Sequence, residues 1–200
     1  MTADVVGAWP AVEYDAWFER PFGRYASAVE TAAVLRALGP LPGRRVLDAG
    51  CGTGRLLLVM AGRGATAVGV DRDLAMLALA RARAGPLVRG DVGGLPLRAA
   101  SLDAVVAVAV LEFVADPAAV VAEMCRVTRR GGRVVVGALN PRSAWGVARW
   151  RELRRPPWAA ARFFGRAELR RLGRPYGRAR LRGLQQLAMP CVRLTDSEPS

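Results

Sequence analysis

The chain has 200 residues, 52% of them apolar, and a formal net charge of +13. That length and apolar content suit one globular domain with a sizeable core and exclude a disordered chain. With no histidine, and with Cys51, Cys125 and Cys191 far apart, no metal site is expected, and a zinc centre or a Ser-His-Asp triad is excluded. No apolar run reaches the ~20 residues of a membrane-spanning helix, and residues 1–4 lack the basic start of a secretory signal. A cytoplasmic protein with reduced thiols is therefore expected.

All 30 basic residues are Arg; Lys and Ile are absent, and Asn140 is the only Asn. This bias has the look of GC-rich codon usage, so the charge is weak evidence for a nucleic-acid partner, although basic surfaces attract phosphate.

In chain order, an aromatic cluster (Tyr14, Trp17, Phe18, Phe22, Tyr25) precedes a helix expected over residues 27–38. From residue 44 a short β-branched run, a Gly or Asp turn and a helical stretch alternate. Strands are expected at 45–49, 65–71, 86–89, 102–108 and 133–139, and helices at 55–63 and 73–84. The next helix has Asp116 as N-cap and Pro117 at N1, with Arg129 and Arg130 in its last turn and Gly131 ending it. Beyond it lie an Arg- and Trp-rich stretch over 141–182, a helix near 165–172, a strand near 179–184 and a polar tail from 195. Strands alternating with helices predict an α/β fold, a mainly parallel doubly wound sheet with helices on both faces. The expected organisation is a single domain over 1–200, with an N-terminal cover (1–43), a core (44–140) and a substrate-side insertion with C-terminal strands (141–194).

In such sheets ligands bind beyond the carboxyl ends of the strands. The first strand runs into Asp48-Ala49-Gly50-Cys51-Gly52-Thr53-Gly54, the second ends at Asp71, and Asp91 follows the third. Glycines let a ligand approach the backbone, and an acid after the second strand is placed to bind ribose hydroxyls. A dinucleotide loop reads G-x-G-x-x-G, but here Arg55 stands at the third glycine's position, and Asp48 would repel a pyrophosphate. A cationic amino-acid ligand suits Asp48 better.

Residues 46–54, with Val68-Gly69-Val70-Asp71, Gly90-Asp91-Val92, Leu95-Pro96, Ser101-Leu102-Asp103 and Gly131-Gly132-Arg133-Val134, resemble the ordered motifs of class I S-adenosylmethionine-dependent methyltransferases. The likeness is greatest to the type-11 (UbiE-like) group and covers about residues 44–140. It implies the Rossmann-like fold of that class and S-adenosylmethionine as cofactor. It further implies that the backbone of Ala49, Gly50 and Gly52 lines the methionine part, with Asp48 near its amino group. Asp71 would hold the ribose hydroxyls, Arg72 would lie beside the adenine, Asp91 would accept from the adenine amino group, and Val92 would pack on the ring. Ala107 and Val108 would lie near the sulfonium.

Tyr14 and Glu112 are the candidates for positioning an acceptor or removing its proton. Glu112 read instead as a solvated loop residue, or Tyr14 as a packed aromatic, is the simpler alternative. The expected partner is a small-molecule acceptor. A non-catalytic cofactor-binding protein, an RNA methyltransferase and an NAD-dependent oxidoreductase are the rival readings. The Trp- and Arg-rich stretch suits an acceptor pocket, a peripheral membrane contact or nothing. Oligomeric state is not legible.

Overall fold

The computed structural model describes residues 9–83, 85–139, 161–177, 180–182 and 186–190. Trp145, Trp150 and Trp158 of the expected substrate-side insertion, Cys191 and the polar tail lie outside these residues. Two helices come first, α1 (Ala11–Trp17) and α2 (Pro21–Leu38). The second starts at Pro21 rather than Ser27, because proline suits the first helical turn. Gly23 lies where an added Cβ would stand 2.1 Å from the Trp17 carbonyl oxygen, so the two helices meet closely there. Tyr25 is 67% exposed and does not join the aromatic cluster.

The alternation follows as β1 (Arg45–Ala49), α3 (Arg55–Ala61), β2 (Thr66–Asp71), α4 (Leu74–Ala80), β3 (Leu87–Arg89), β4 (Leu102–Val108), α5 (Pro117–Val127) and β5 (Thr128–Gly137). Then come α6 (Arg166–Gly173), β6 (Arg180–Arg182) and β7 (Gln186–Pro190). The sheet order is β3-β2-β1-β4-β5-β7-β6. β1 to β5 are mutually parallel; β7 runs antiparallel to β5, and β6 antiparallel to β7. This is the mainly parallel, Rossmann-like sheet that the repeating pattern predicts.

Side-chain alternation along the strands divides the core into two layers. On one face Leu47, Val105, Val134 and Val136 pack with Val120, Val121 and Met124 of α5 and Leu169 of α6. On the other, Val46, Ala104, Val106 and Val135 pack with Val34 and Leu38 of α2 and Leu57 and Met60 of α3. Both faces of β4 are thus covered, which is why its sequence is an apolar run rather than an alternation.

Asp116 caps its helix as expected, and Asp73, expected as the first residue of a helix over 73–84, instead caps α4; each accepts from two backbone N–H groups of the first turn. The end of α5 differs from expectation. Thr128 turns extended and its hydroxyl donates to the Met124 carbonyl. Arg129, Arg130 and Gly131 consequently belong to β5, not to the last helical turn. Leu102 pairs with Thr128, the pairing resumes only at Ala104 with Arg133, and Arg129 reaches the Asp103 carboxylate at 2.5 Å. A strand neighbour and an ion pair outweigh the helix dipole's preference for cations. Arg133 in turn donates to the carbonyls of Ala37 and Leu38, tying the end of α2 to β5. C-terminal strands were expected within 141–194, but the bounds of β7 and its pairing with β5 were not, since that pairing is a contact between distant segments. No described helix is long and apolar enough to cross a membrane.

Leu47 is fully buried at the centre of the first layer. Leu47→Ala should therefore cost about 2–5 kcal/mol, through lost transfer energy and a residual cavity. Urea unfolding checks this, and a loss under ~1 kcal/mol would place Leu47 outside the packed core.

Candidate functional site

The strand order reverses between β1 and β4, so the crevice above the sheet opens where β1 runs into residues 50–54 and β4 runs into residues 109–113. The turn after β1 is held by its own amides. The N–H groups of Gly50 and Cys51 both donate to the Val70 carbonyl, at 2.7 and 3.0 Å. Gly54 N–H donates to Cys51, and Gly52 N–H to Oδ2 of Asp71 at 2.8 Å. Gly50 has φ +76°, and a Cβ there would stand 2.5 Å from Val110. Gly52 has φ +51°, and its missing side chain would point at the Tyr14 ring, 3.7 Å away. Cys51 turns away from the crevice, packing where a Cβ on Gly69 would meet its sulfur at 2.7 Å. Burial keeps that thiol well above its usual pKa, so it is inert.

Two acids flank this turn. Asp48 is 3% exposed; burial, then the charge of Asp71, pushes its carboxyl up to about 7. Among the described residues no cation offsets it. Asp71 accepts from Gly52 at one oxygen and from Asp73 N–H at the other, at 2.9 Å. Burial raises its pKa, offset in part by those donors. A carboxylate has about four acceptor positions, so Asp71 retains capacity for a ligand. Arg72 and Asp91 face each other at 4.0 Å, the acid 63% exposed. Asp91 also accepts from Gly93 N–H, and Val92 is buried in the first core layer. That loop is held from α5: Glu123 accepts from Leu95 N–H, while Arg126 donates to the carbonyls of Leu95 and Leu97.

At the end of β4, Ala107 is fully buried and Val108 half-buried; Ala49 opposite is fully buried too. The next residue, Ala109, holds φ +52° while donating to Gly137. Glu112 is not a solvated loop residue: it is 2% exposed, in the short 3-10 turn Leu111–Phe113. Its Oε1 accepts from Leu139 N–H, two residues past β5, while Oε2 is buried without a partner. Burial pushes its carboxyl up to about 7, partly offset by Leu139, and the charge of Glu30 adds to the rise.

The N-terminal helix closes one side. Asp15 accepts from Thr53 at 2.7 Å, from Arg55 at 3.2 Å and from Arg83 at 2.6 Å, while Arg83 also donates to the Thr53 carbonyl. Desolvation would raise the Asp15 pKa, but these donors together lower it. Arg55 continues to Glu19 and lies over the Phe18 ring, which stacks edge-on with Tyr14. Tyr14 is thereby set over the glycine turn. Burial raises its pKa, and the charges of Glu30, Asp48 and Asp71 all add to the rise. Asp15, Thr53, Arg83 and Glu30 were not singled out from sequence. Asp15 and Arg83 are too distant in the chain for spacing to reveal them, and Glu30 sits in a helix otherwise read as structural. Among the described residues no group of acids and thiols could hold a metal ion.

Residues 47–136 match the family model described as "Methyltransferase domain". An uncharacterized protein of Mycobacterium tuberculosis is 36% identical over 175 residues, covering 86% of this chain and 59% of that protein. A demethylmenaquinone methyltransferase of a Mycobacterium species is 45% identical over 100 residues, covering 50% of this chain and 44% of its own. The chain thus spans less than two thirds of the curated relatives it matches. A crystal structure of a Thermotoga maritima SAM-dependent methyltransferase superposes with TM-score 0.75 at 26% identity, covering 90% of this chain and 94% of that one.

Two measurements test the site's internal forces. Asp15→Asn removes the charge that holds Arg55 and Arg83, so amide exchange in α1 should accelerate about tenfold or more while β4 amides are unaffected; unchanged α1 exchange would mean packing alone holds the cover. An acid whose pKa is raised by folding stabilises the fold below its unfolded value and loses that contribution as pH climbs through the folded value. For Asp48 the window runs from about pH 4 to 7. The melting temperature should therefore fall between about pH 4 and 7, and less steeply in Asp48→Asn, with Glu30 and Glu112 supplying the rest. An identical slope in the variant would mean that Asp48 is ionised throughout.

Proposed function

We propose that the chain is a class I S-adenosylmethionine-dependent methyltransferase, an enzyme transferring a methyl group from S-adenosylmethionine to a small-molecule acceptor, a reading supported by its likeness to the methyltransferase-domain model over residues 47–136. The observation that carries this reading is the pairing of Asp48 with a turn whose amides are already spent. Phosphate-binding turns offer free N–H groups to the anion. Here Gly50, Cys51, Gly52 and Gly54 donate inward, and a buried acid faces the same space. That combination repels a pyrophosphate and favours a cationic amino-acid group.

In this reading Asp48 meets the ammonium of the methionine part, and the main chain at Ala49, Gly50 and Gly52 lines it. Asp71 receives the ribose hydroxyls on the acceptor positions that Gly52 and Asp73 leave open. Arg72, Asp91 and Val92 border the adenine, and the main chain at Ala107 with Val108 borders the sulfonium. The cofactor supplies a methyl group already activated by its bond to a positive sulfur. The protein's part is then to align an acceptor and exclude water. Tyr14 and the α1 cover close over the turn, and Glu112 presents a carboxyl on the β4 side.

The charge of +13 invites the RNA reading. The buried titratable side chains at the strand ends, Asp48, Asp71 and Glu112, are acids, however, and they would repel a phosphate backbone.

Calorimetric titration with S-adenosylmethionine, S-adenosylhomocysteine and NAD tests the proposal. Binding of the first two alone is expected, weakened about tenfold or more by Asp71→Asn, which removes the acceptor charge yet keeps one oxygen for the turn. Affinity for S-adenosylmethionine should rise from pH 6 to 8 as Asp48 ionises, by about tenfold per unit below its pKa, with proton release on binding. A flat profile, or preference for NAD, would overturn the placement of Asp48.

A further inference from the structure

The acceptor side of the crevice has a chemical bias of its own. Glu112 is almost fully buried, with one carboxyl oxygen taken by the Leu139 N–H and the other without any donor. A buried acceptor left unmet costs free energy that a ligand donor would recover. Glu112 is also one end of a line of acids. Glu30 of α2 bears on both Glu112 and Tyr14, and Tyr14 in turn feels Asp48 and Asp71. Tyr14 lies over Gly52, so this line runs from the β4 end of the crevice to the β2 end. Arg55 is the cation whose charge bears on Tyr14, and it is held from outside by Asp15 and Glu19; Arg72, beside Asp71, pairs with Asp91, and Arg162, whose backbone N–H donates to the Glu112 carbonyl, pairs through its guanidinium with Glu168.

We propose that the acceptor is an amine, entering as its ammonium form with the nitrogen against Oε2 of Glu112. This rests on the methyltransferase reading above and adds the substrate class. An ammonium supplies the donor that Oε2 lacks and a charge complementary to the acids around it. A phenolate, a quinol on its way to an anion or a carboxylate would meet repulsion in the same place. An alcohol would meet only the weaker neutral bond that a protonated Glu112 can make. Once bound, one proton passes from the ammonium to Oε2, leaving a neutral nitrogen with its lone pair and a neutral carboxyl. The nitrogen is then a nucleophile, and no histidine or lysine is required; the chain has neither.

The test is equilibrium binding to the full chain, read by calorimetry with and without saturating S-adenosylhomocysteine. The probes are phenethylamine, hexylamine, phenethyl alcohol and hydroquinone. Both amines should bind about tenfold or more tighter than the alcohol and hydroquinone. That preference should fall to about unity in Glu112→Gln, which keeps the shape and the Leu139 contact, and should shrink partially in Glu30→Gln. Equal binding of the alcohol, tighter binding of hydroquinone, an undiminished preference in Glu112→Gln, or no binding of either amine would overturn the proposal. Failure of S-adenosylhomocysteine to bind would instead overturn the cofactor reading, so the two failures are distinct.

Discussion

The site depends on how the turn after β1 uses its backbone. By donating its amides to Val70 and Asp71, the turn ties itself to the end of β2 and becomes a rigid part of the sheet's rim. This has two chemical consequences. The turn has little left to offer an anion, and the Asp71 carboxyl is held in one orientation at the strand end. Glycine is required because the left-handed conformations at 50 and 52 leave no room for, or strongly disfavour, a side chain. The shape of the turn and its shortage of free donors therefore come from the same hydrogen bonds.

Around that rim the protein arranges polarity in an unusual direction. The chain as a whole is strongly basic, yet Asp48, Asp71 and Glu112 at the strand ends are desolvated acids. Burying a carboxyl without a cation is unfavourable, and in the unliganded protein the response is a raised pKa rather than a buried charge. Such groups store a preference for cations: a positive ligand restores ionisation and recovers part of the lost solvation. Asp48 lies in β1 and Glu112 in the turn after β4, so the buried acids are not confined to one strand end.

The N-terminal cover is held by a different kind of force. Each of its ion pairs is partly exposed and individually worth little. They share Asp15, however, and the aromatic edge contacts of Tyr14, Trp17 and Phe18 add to them. A cover built this way can open without disturbing the two core layers, which suits a segment that must admit and release ligands.

The parallel sheet, the strand-end acids and the glycine turn were legible in the sequence because each rests on local chemistry. β-branched runs read as buried strands, Asp116 and Pro117 mark a helix start, and glycines mark the positions that only they can occupy. The end of α5 was misread because Arg129 is claimed by Asp103 across the sheet, a competitor that helix-end rules do not contain. The buried state of Glu112, the joining of Asp15 to Arg83 and the approach of Glu30 to Tyr14 were decided by tertiary structure alone. Burial and the pairing of charges depend on which distant segments meet, and no periodicity within a single segment carries that information.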